Sequence, residues 1–168
     1  MSKSNLLRAR AHVENVRTGI DAEGRRELAE GLGRVPADTY TLYVKTQGVH
    51  WNVVGPLFYS LHKLTEAQYA ELTEATDKLA ERIRALGHPA PASFKQFVEL
   101  TELEEETGVP SGEAMLRQLI ADHETVARRL REVATTSDKA NDDVTSDLLT
   151  RRLESHEQAV WMLRALPA

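Results

Sequence analysis

From residue 57 to residue 86 one apolar stripe runs without a break: Leu57, Leu61, Leu64, Leu72, Leu79, Ile83 and Leu86, closed by Gly87 as a helix C-terminus should be. A helix of that length with only one apolar side must bury the side against other helices. Three further stretches supply them. Leu28, Leu32, Val35, Leu42, Val49 and Val53 recur at helical intervals until Gly55 and Pro56 interrupt them, with a kink or late start expected near Pro36. Ser111 precedes a helix carrying Leu116, Leu119, Ile120, Val126, Leu130 and Val133; the polar run TTSDKANDD is expected to turn the chain. A last helix starts near Asp143 and presents Leu149, Leu153, Val160 and Leu163. The connection after the second helix is long, holds three prolines and includes FKQFVEL, expected as a short helix. A connection of that length crosses a bundle, so the expectation is an all-α four-helix bundle with one long crossover.

The 168 residues suit one compact domain, here residues 21–168, after a tail or short loosely packed helix over 1–20. With no cysteine, disulfides, iron-sulfur clusters and thiolate zinc sites are excluded, so any metal falls to histidine and carboxylate. No apolar run approaches the roughly 20 residues a membrane span needs, and the opening residues lack the apolar core of a signal peptide, so a cytoplasmic location is expected. A formal charge of -5 does not favour attraction to a phosphate backbone.

The segment from His50 to Glu81 concentrates candidate metal ligands. His50 and His62 are nitrogen donors; Glu66, Asp77 and Glu81 are oxygen donors, a mixture that suits iron, zinc or manganese better than calcium. At about 100° per residue, His62, Glu66, Asp77 and Glu81 share one side of the long helix, away from its apolar stripe. At about 1.5 Å rise per residue, His62 and Asp77 lie roughly 22 Å apart, and no single metal centre spans that. The set therefore reads as two half-sites. A two-fold axis laying this helix antiparallel to its copy brings His62 and Glu66 of one chain opposite Asp77 and Glu81 of another, with His50 joining across the Gly55-Pro56 turn. A di-iron centre built inside one bundle needs Glu-x-x-His on two helices, and no histidine here has a glutamate three residues before it.

His50-Trp51-Asn52, a histidine twelve residues on, an acid four beyond it, Asp77-x-x-Ala80-Glu81-Arg82 and the closing Trp161-Met162-Leu163 together resemble the Dps miniferritins of the ferritin-like superfamily, from about Arg25 onward. The resemblance implies a hollow dodecamer with ferroxidase centres at its two-fold interfaces. Its ligands carry over to His50, His62, Glu66, Asp77 and Glu81, with Glu66 standing where the family often has Asp. It also implies Fe(II) oxidation at a mono- or di-iron centre, by hydrogen peroxide in preference to oxygen, and storage of ferric mineral that protects against oxidative stress. Zinc is a competitor for such a site. Trp51 is then a candidate electron donor, and Asp143 and Asp147 candidate lining of an iron-entry pore, although both acids also suit a helix start electrostatically.

The alternative function is a nucleoid-associated protein that compacts DNA. Its motivation is Lys3, Arg8, Arg10 and Arg17 in the tail; against it, twelve copies multiply an already negative charge. His156 lies along an apolar stripe and is expected in the core, Trp161 in the core or an interface, and Arg82 in an ion pair at an interface. His12, His88 and His123 show no pattern.

Overall fold

The computed structural model describes residues 13–166, which contain helices and no strand. Lys3, Arg8, Arg10 and His12 lie outside the described residues. Residues 13–20 are not helical. They lie against the end of the long helix, where the Glu14 amide donates to the Gly87 carbonyl at 2.9 Å. Gly87 has φ +90°, and a Cβ there would stand 2.7 Å from the Glu14 carbonyl oxygen, so both the turn and the close approach require glycine.

Six helices follow: α1 (Ala22–Leu32), α2 (Val35–Asn52), α3 (Phe58–Ala85), α4 (Phe94–Leu100), α5 (Gly112–Lys139) and α6 (Asp143–Arg164). The first expected helix is two. The break falls at Gly33 and Arg34, before Pro36, because proline fits the first turn of α2, where its missing N–H costs nothing. TTSDKANDD does not turn as a whole, contrary to expectation: α5 continues to Lys139, and only 140–142 turn. Asn141 takes the left-handed conformation there, at φ 52°. The short helix in the crossover is FKQFVEL, capped by Ser93, whose Oγ accepts from the Gln96 amide.

Helices α2 and α3 form one antiparallel hairpin, α5 and α6 another. The hairpins meet through α2 on α5 and α3 on α6, while α4 lies on α2. Leu28, Leu42, Leu61, Leu72, Leu79, Ile83, Leu119, Leu130 and Leu149 fill the interior with essentially no exposure. Burying each such side chain contributes roughly 1.5–3 kcal/mol against conformational entropy.

Three polar ties fix the helices against one another. Asp38, fully buried on α2, accepts from Thr101 Oγ1 at 2.9 Å and the Glu102 amide at 2.7 Å, and Arg129 of α5 closes the group at 3.2 Å. Burial pushes the Asp38 carboxyl up, against the pull of its donors. The crossover is thereby pinned to two helices. Lys45 pairs with Asp122 at 2.6 Å between α2 and α5 and donates to the Glu104 carbonyl at 2.9 Å. Arg82 pairs with Asp142 at 2.6 Å and donates to Thr145 Oγ1 at 2.8 Å, tying the α5–α6 turn to α3. This places the expected ion pair of Arg82 within the chain, because the turn delivers Asp142 to it.

Candidate metal centre

His50 stands in the last turn of α2 and His62 in the second turn of α3, joined by the tight turn at Gly55, φ +82°. The imidazoles stack, with centroids 3.8 Å apart and planes 15° from parallel. His50 Nδ1 lies 2.8 Å from the His62 carbonyl oxygen, and His62 Nδ1 lies 2.8 Å from the His50 carbonyl oxygen. A carbonyl only accepts, so each ring must donate from Nδ1. Both rings are thereby held as Nδ1–H tautomers, with the lone pair on Nε2 available to a metal. Both residues are half-buried, which restricts ring motion and keeps solvent access.

Glu66, one turn beyond His62, is exposed, and Lys63 Nζ sits 2.7 Å from its Oε2. The hydrogen bond and charge of Lys63 hold the Glu66 carboxyl below the usual range, so it is a carboxylate at neutral pH, ready to exchange one cation for another. Asp77 and Glu81 are exposed one turn apart, on the same helix but roughly 22 Å from His62 by helical rise. Within one chain no three His, Asp or Glu side chains among the described residues converge as a metal set. One chain carries a histidine-rich half and an acidic half that do not meet.

The remaining candidates are scattered. Trp51 is 68% exposed, next to His50 in sequence, whereas the ring that abuts His50 edge-on is Tyr69 at 5.2 Å. Phe58 stacks on His62 at 5.2 Å. Asp143 and Asp147 are exposed in the first turns of α6, and Asp147 is engaged by Arg151. Trp161 is 65% exposed, so it is not core of this chain.

A second histidine pair lies in the bundle interior. His123 of α5 and His156 of α6 are 2% and 1% exposed, with Nδ1 atoms 2.9 Å apart. Arg152 approaches His156 Nε2 at 3.2 Å and pairs with Glu71 of α3. A guanidinium only donates, so His156 accepts at Nε2, carries its proton on Nδ1 and donates it to His123. Burial pushes His123 down to about 4, and burial with the neighbouring His123 and Arg152 lowers His156 well below the ordinary value. His156 is core as expected. His123 was missed, yet Leu119, His123, Val126 and Leu130 follow one helical stripe, the signal that placed it there.

Residues 29–167 match the family described as ferritin-like domain. The chain is 43% identical over 155 residues to a low temperature-induced protein of Nostoc sp., covering 91% of this chain and 87% of that one. It is 32% identical over 140 residues to DNA protection during starvation protein 2 of Bacillus anthracis, covering 83% and 96%. Its fold matches the crystal structure of the Dps protein of Vibrio cholerae O1, described as a member of a broad superfamily of ferritin-like diiron-carboxylate proteins. The TM-score is 0.85 at 29% identity, over 94% of this chain and 98% of that one. The bundle with its helical crossover, the ligand-bearing hairpin and these likenesses agree: the chain belongs to the Dps family of ferritin-like proteins.

Proposed function

We propose that the protein is a ferroxidase and iron store whose centres are completed between chains. Each centre takes His50, His62 and Glu66 from one copy and Asp77 and Glu81 from its two-fold mate. The observation that carries this reading is the reciprocal pair of Nδ1 hydrogen bonds, which leaves both histidines with free Nε2 lone pairs.

The substrate is Fe(II). Imidazole nitrogen with carboxylate oxygen serves both iron oxidation states, and three carboxylates offset the charge of one or two ferrous ions. Hydrogen peroxide is the preferred oxidant and oxygen the slower one: two Fe(II), one peroxide and two protons give two Fe(III) and two water molecules. A two-electron reduction avoids releasing hydroxyl radical. Zinc fits the same donors and competes with iron there. Copies assemble as a dodecameric cage in the cytoplasm, with ferric mineral inside. Asp143 and Asp147 line the entry pore, Asp143 being the one without a close arginine in its own turn. No helix among the described residues is long and apolar enough to cross a membrane.

The direct experiment is stopped-flow oxidation of Fe(II) by peroxide and by oxygen on the assembled protein, with anomalous scattering from iron-soaked crystals. The expected result is faster oxidation by peroxide and an iron peak bounded by His50, His62 and acids of a second chain. Iron bound elsewhere, with the histidines empty, refutes the reading.

A further inference from the structure

Peroxide takes two electrons, and a single ferrous ion supplies one. A centre holding one iron therefore needs a second donor in contact with it, or it releases hydroxyl radical. In this chain Tyr69 abuts His50 edge-on at 5.2 Å. Tyr69 meets Tyr43 at 6.4 Å, Tyr43 meets Tyr40 at 5.5 Å, and Tyr40 ends the row against Phe97 at 4.9 Å and Phe94 at 5.9 Å. Three of the four tyrosines in the chain thus stand in ring contact, in single file, starting at a ligand histidine. All three are half-buried, neither sealed in the core nor fully exposed. The phenylalanines beyond Tyr40 are harder to oxidise than tyrosine and stop the row there. Phe58, the other ring on the histidine pair, is no donor for the same reason.

We infer that Tyr69, Tyr43 and Tyr40 form a one-electron relay that supplies the second reducing equivalent when only one ferrous ion occupies the centre. The inference rests on the ferroxidase reading above. In the first step Fe(II), the Tyr69 phenol and peroxide give Fe(III), a tyrosyl radical, one water and one hydroxide: the O–O bond breaks, iron and the phenol each lose one electron, and the phenolic proton ends in water. The electron vacancy then moves to Tyr43 and Tyr40, each donor losing its proton as it is oxidised and each reduced ring regaining one. In the last step a second Fe(II) reduces the radical, with water returning the proton, to give tyrosine, Fe(III) and hydroxide. The sum is the same two-iron stoichiometry, without both irons having to be bound together.

The test uses the full-length assembled protein loaded with less than one Fe(II) per centre, mixed with peroxide and freeze-quenched for electron paramagnetic resonance. A tyrosyl radical is expected to form at the rate of Fe(III) formation. Tyr69→Phe should abolish it and raise trapped hydroxyl radical at least tenfold, whereas Tyr43→Phe should confine it to Tyr69. Tyr59→Phe, at the one tyrosine outside the row, should leave the signal intact. Should a variant fail to assemble, ring-deuterated tyrosine in the unaltered chain must change the hyperfine pattern. Fe(III) formed at the normal rate without a tyrosyl radical, or a radical that survives Tyr69→Phe, overturns the relay alone. No Fe(III) at all removes the ferroxidase reading and the relay with it.

Discussion

The two histidine pairs bring the same side chain into ring contact and come to opposite chemistry. His50 and His62 each donate from Nδ1 to the other's backbone carbonyl and keep two lone pairs free. His123 and His156 spend their lone pairs on each other and on Arg152, inside the bundle. One pair keeps its lone pairs for a ligand from outside; the other has both lone pairs taken inside the bundle, with the buried His123 Nε2 left without a partner. Proximity of histidines is therefore poor evidence for metal; which nitrogen is already committed decides it.

The largest expected contrast comes from removing each pair. His50→Ala with His62→Ala should slow peroxide-driven Fe(II) oxidation by at least about 100-fold, since loss of outer-shell support alone costs up to that much. The thermal midpoint should move little, because both residues are half-buried at a turn. His123→Leu should do the reverse, costing about 1–3 kcal/mol by leaving His156 without its buried acceptor while iron oxidation stays normal. The double variant His123→Leu with His156→Leu should cost less than the sum of the single changes. Chemical denaturation alongside stopped-flow kinetics checks both arms, and a comparable loss of activity from the interior pair would break the contrast.

Next in size is the response to acid. Both interior histidines titrate below their unfolded value when folded, so the unfolded chain binds the extra protons first. The contribution of His123 is fully present above about pH 6.5 and drains away as pH falls toward about 4, and that of His156 is lost in the same direction. Asp38 and Asp122, raised above 3.8 by burial, act in the opposite sense and overlap that window, gaining stability as pH falls toward their unfolded value. Denaturation midpoints at pH 7 and pH 5 should therefore separate for the native chain and converge in the His123→Leu, His156→Leu variant.

The smallest effect is expected at Lys63. It occupies Glu66 in the isolated chain, so Lys63→Ala should raise Fe(II) affinity by about two- to fivefold, the range an exposed ion pair commands. Titration by calorimetry measures this; unchanged or weaker affinity would remove Glu66 from the ligand set.

Much of the fold was legible in the sequence. FKQFVEL, the Ser111 cap, the Gly87 stop and the start of α6 at Asp143 rest on local signals that tertiary packing did not override. TTSDKANDD misled because Ser, Thr and Asp read as turn formers. In the fold Ser137 and Asp138 stay helical and are engaged by Ser146 of α6. The outward facing of Glu66, Asp77 and Glu81 followed from angle arithmetic. The Nδ1 bonds that commit His50 and His62 did not, since they depend on how one turn sets two helices side by side. The same holds for Tyr69, whose contact with His50 joins residues on different helices, and for Arg82, whose partner lies 60 residues away.

On the proposed reading no chain holds a complete centre. Co-expressing a chain carrying His50→Ala and His62→Ala with one carrying Asp77→Ala and Glu81→Ala tests it directly. Each variant alone lacks one half of every centre and should be inactive. At a mixed two-fold interface, one of the two centres receives intact histidines from one chain and intact acids from the other. With random mixing about a quarter of all centres, and so about a quarter of native activity, should return. Mixed assemblies, verified by mass, that remain as inactive as either parent would contradict the account.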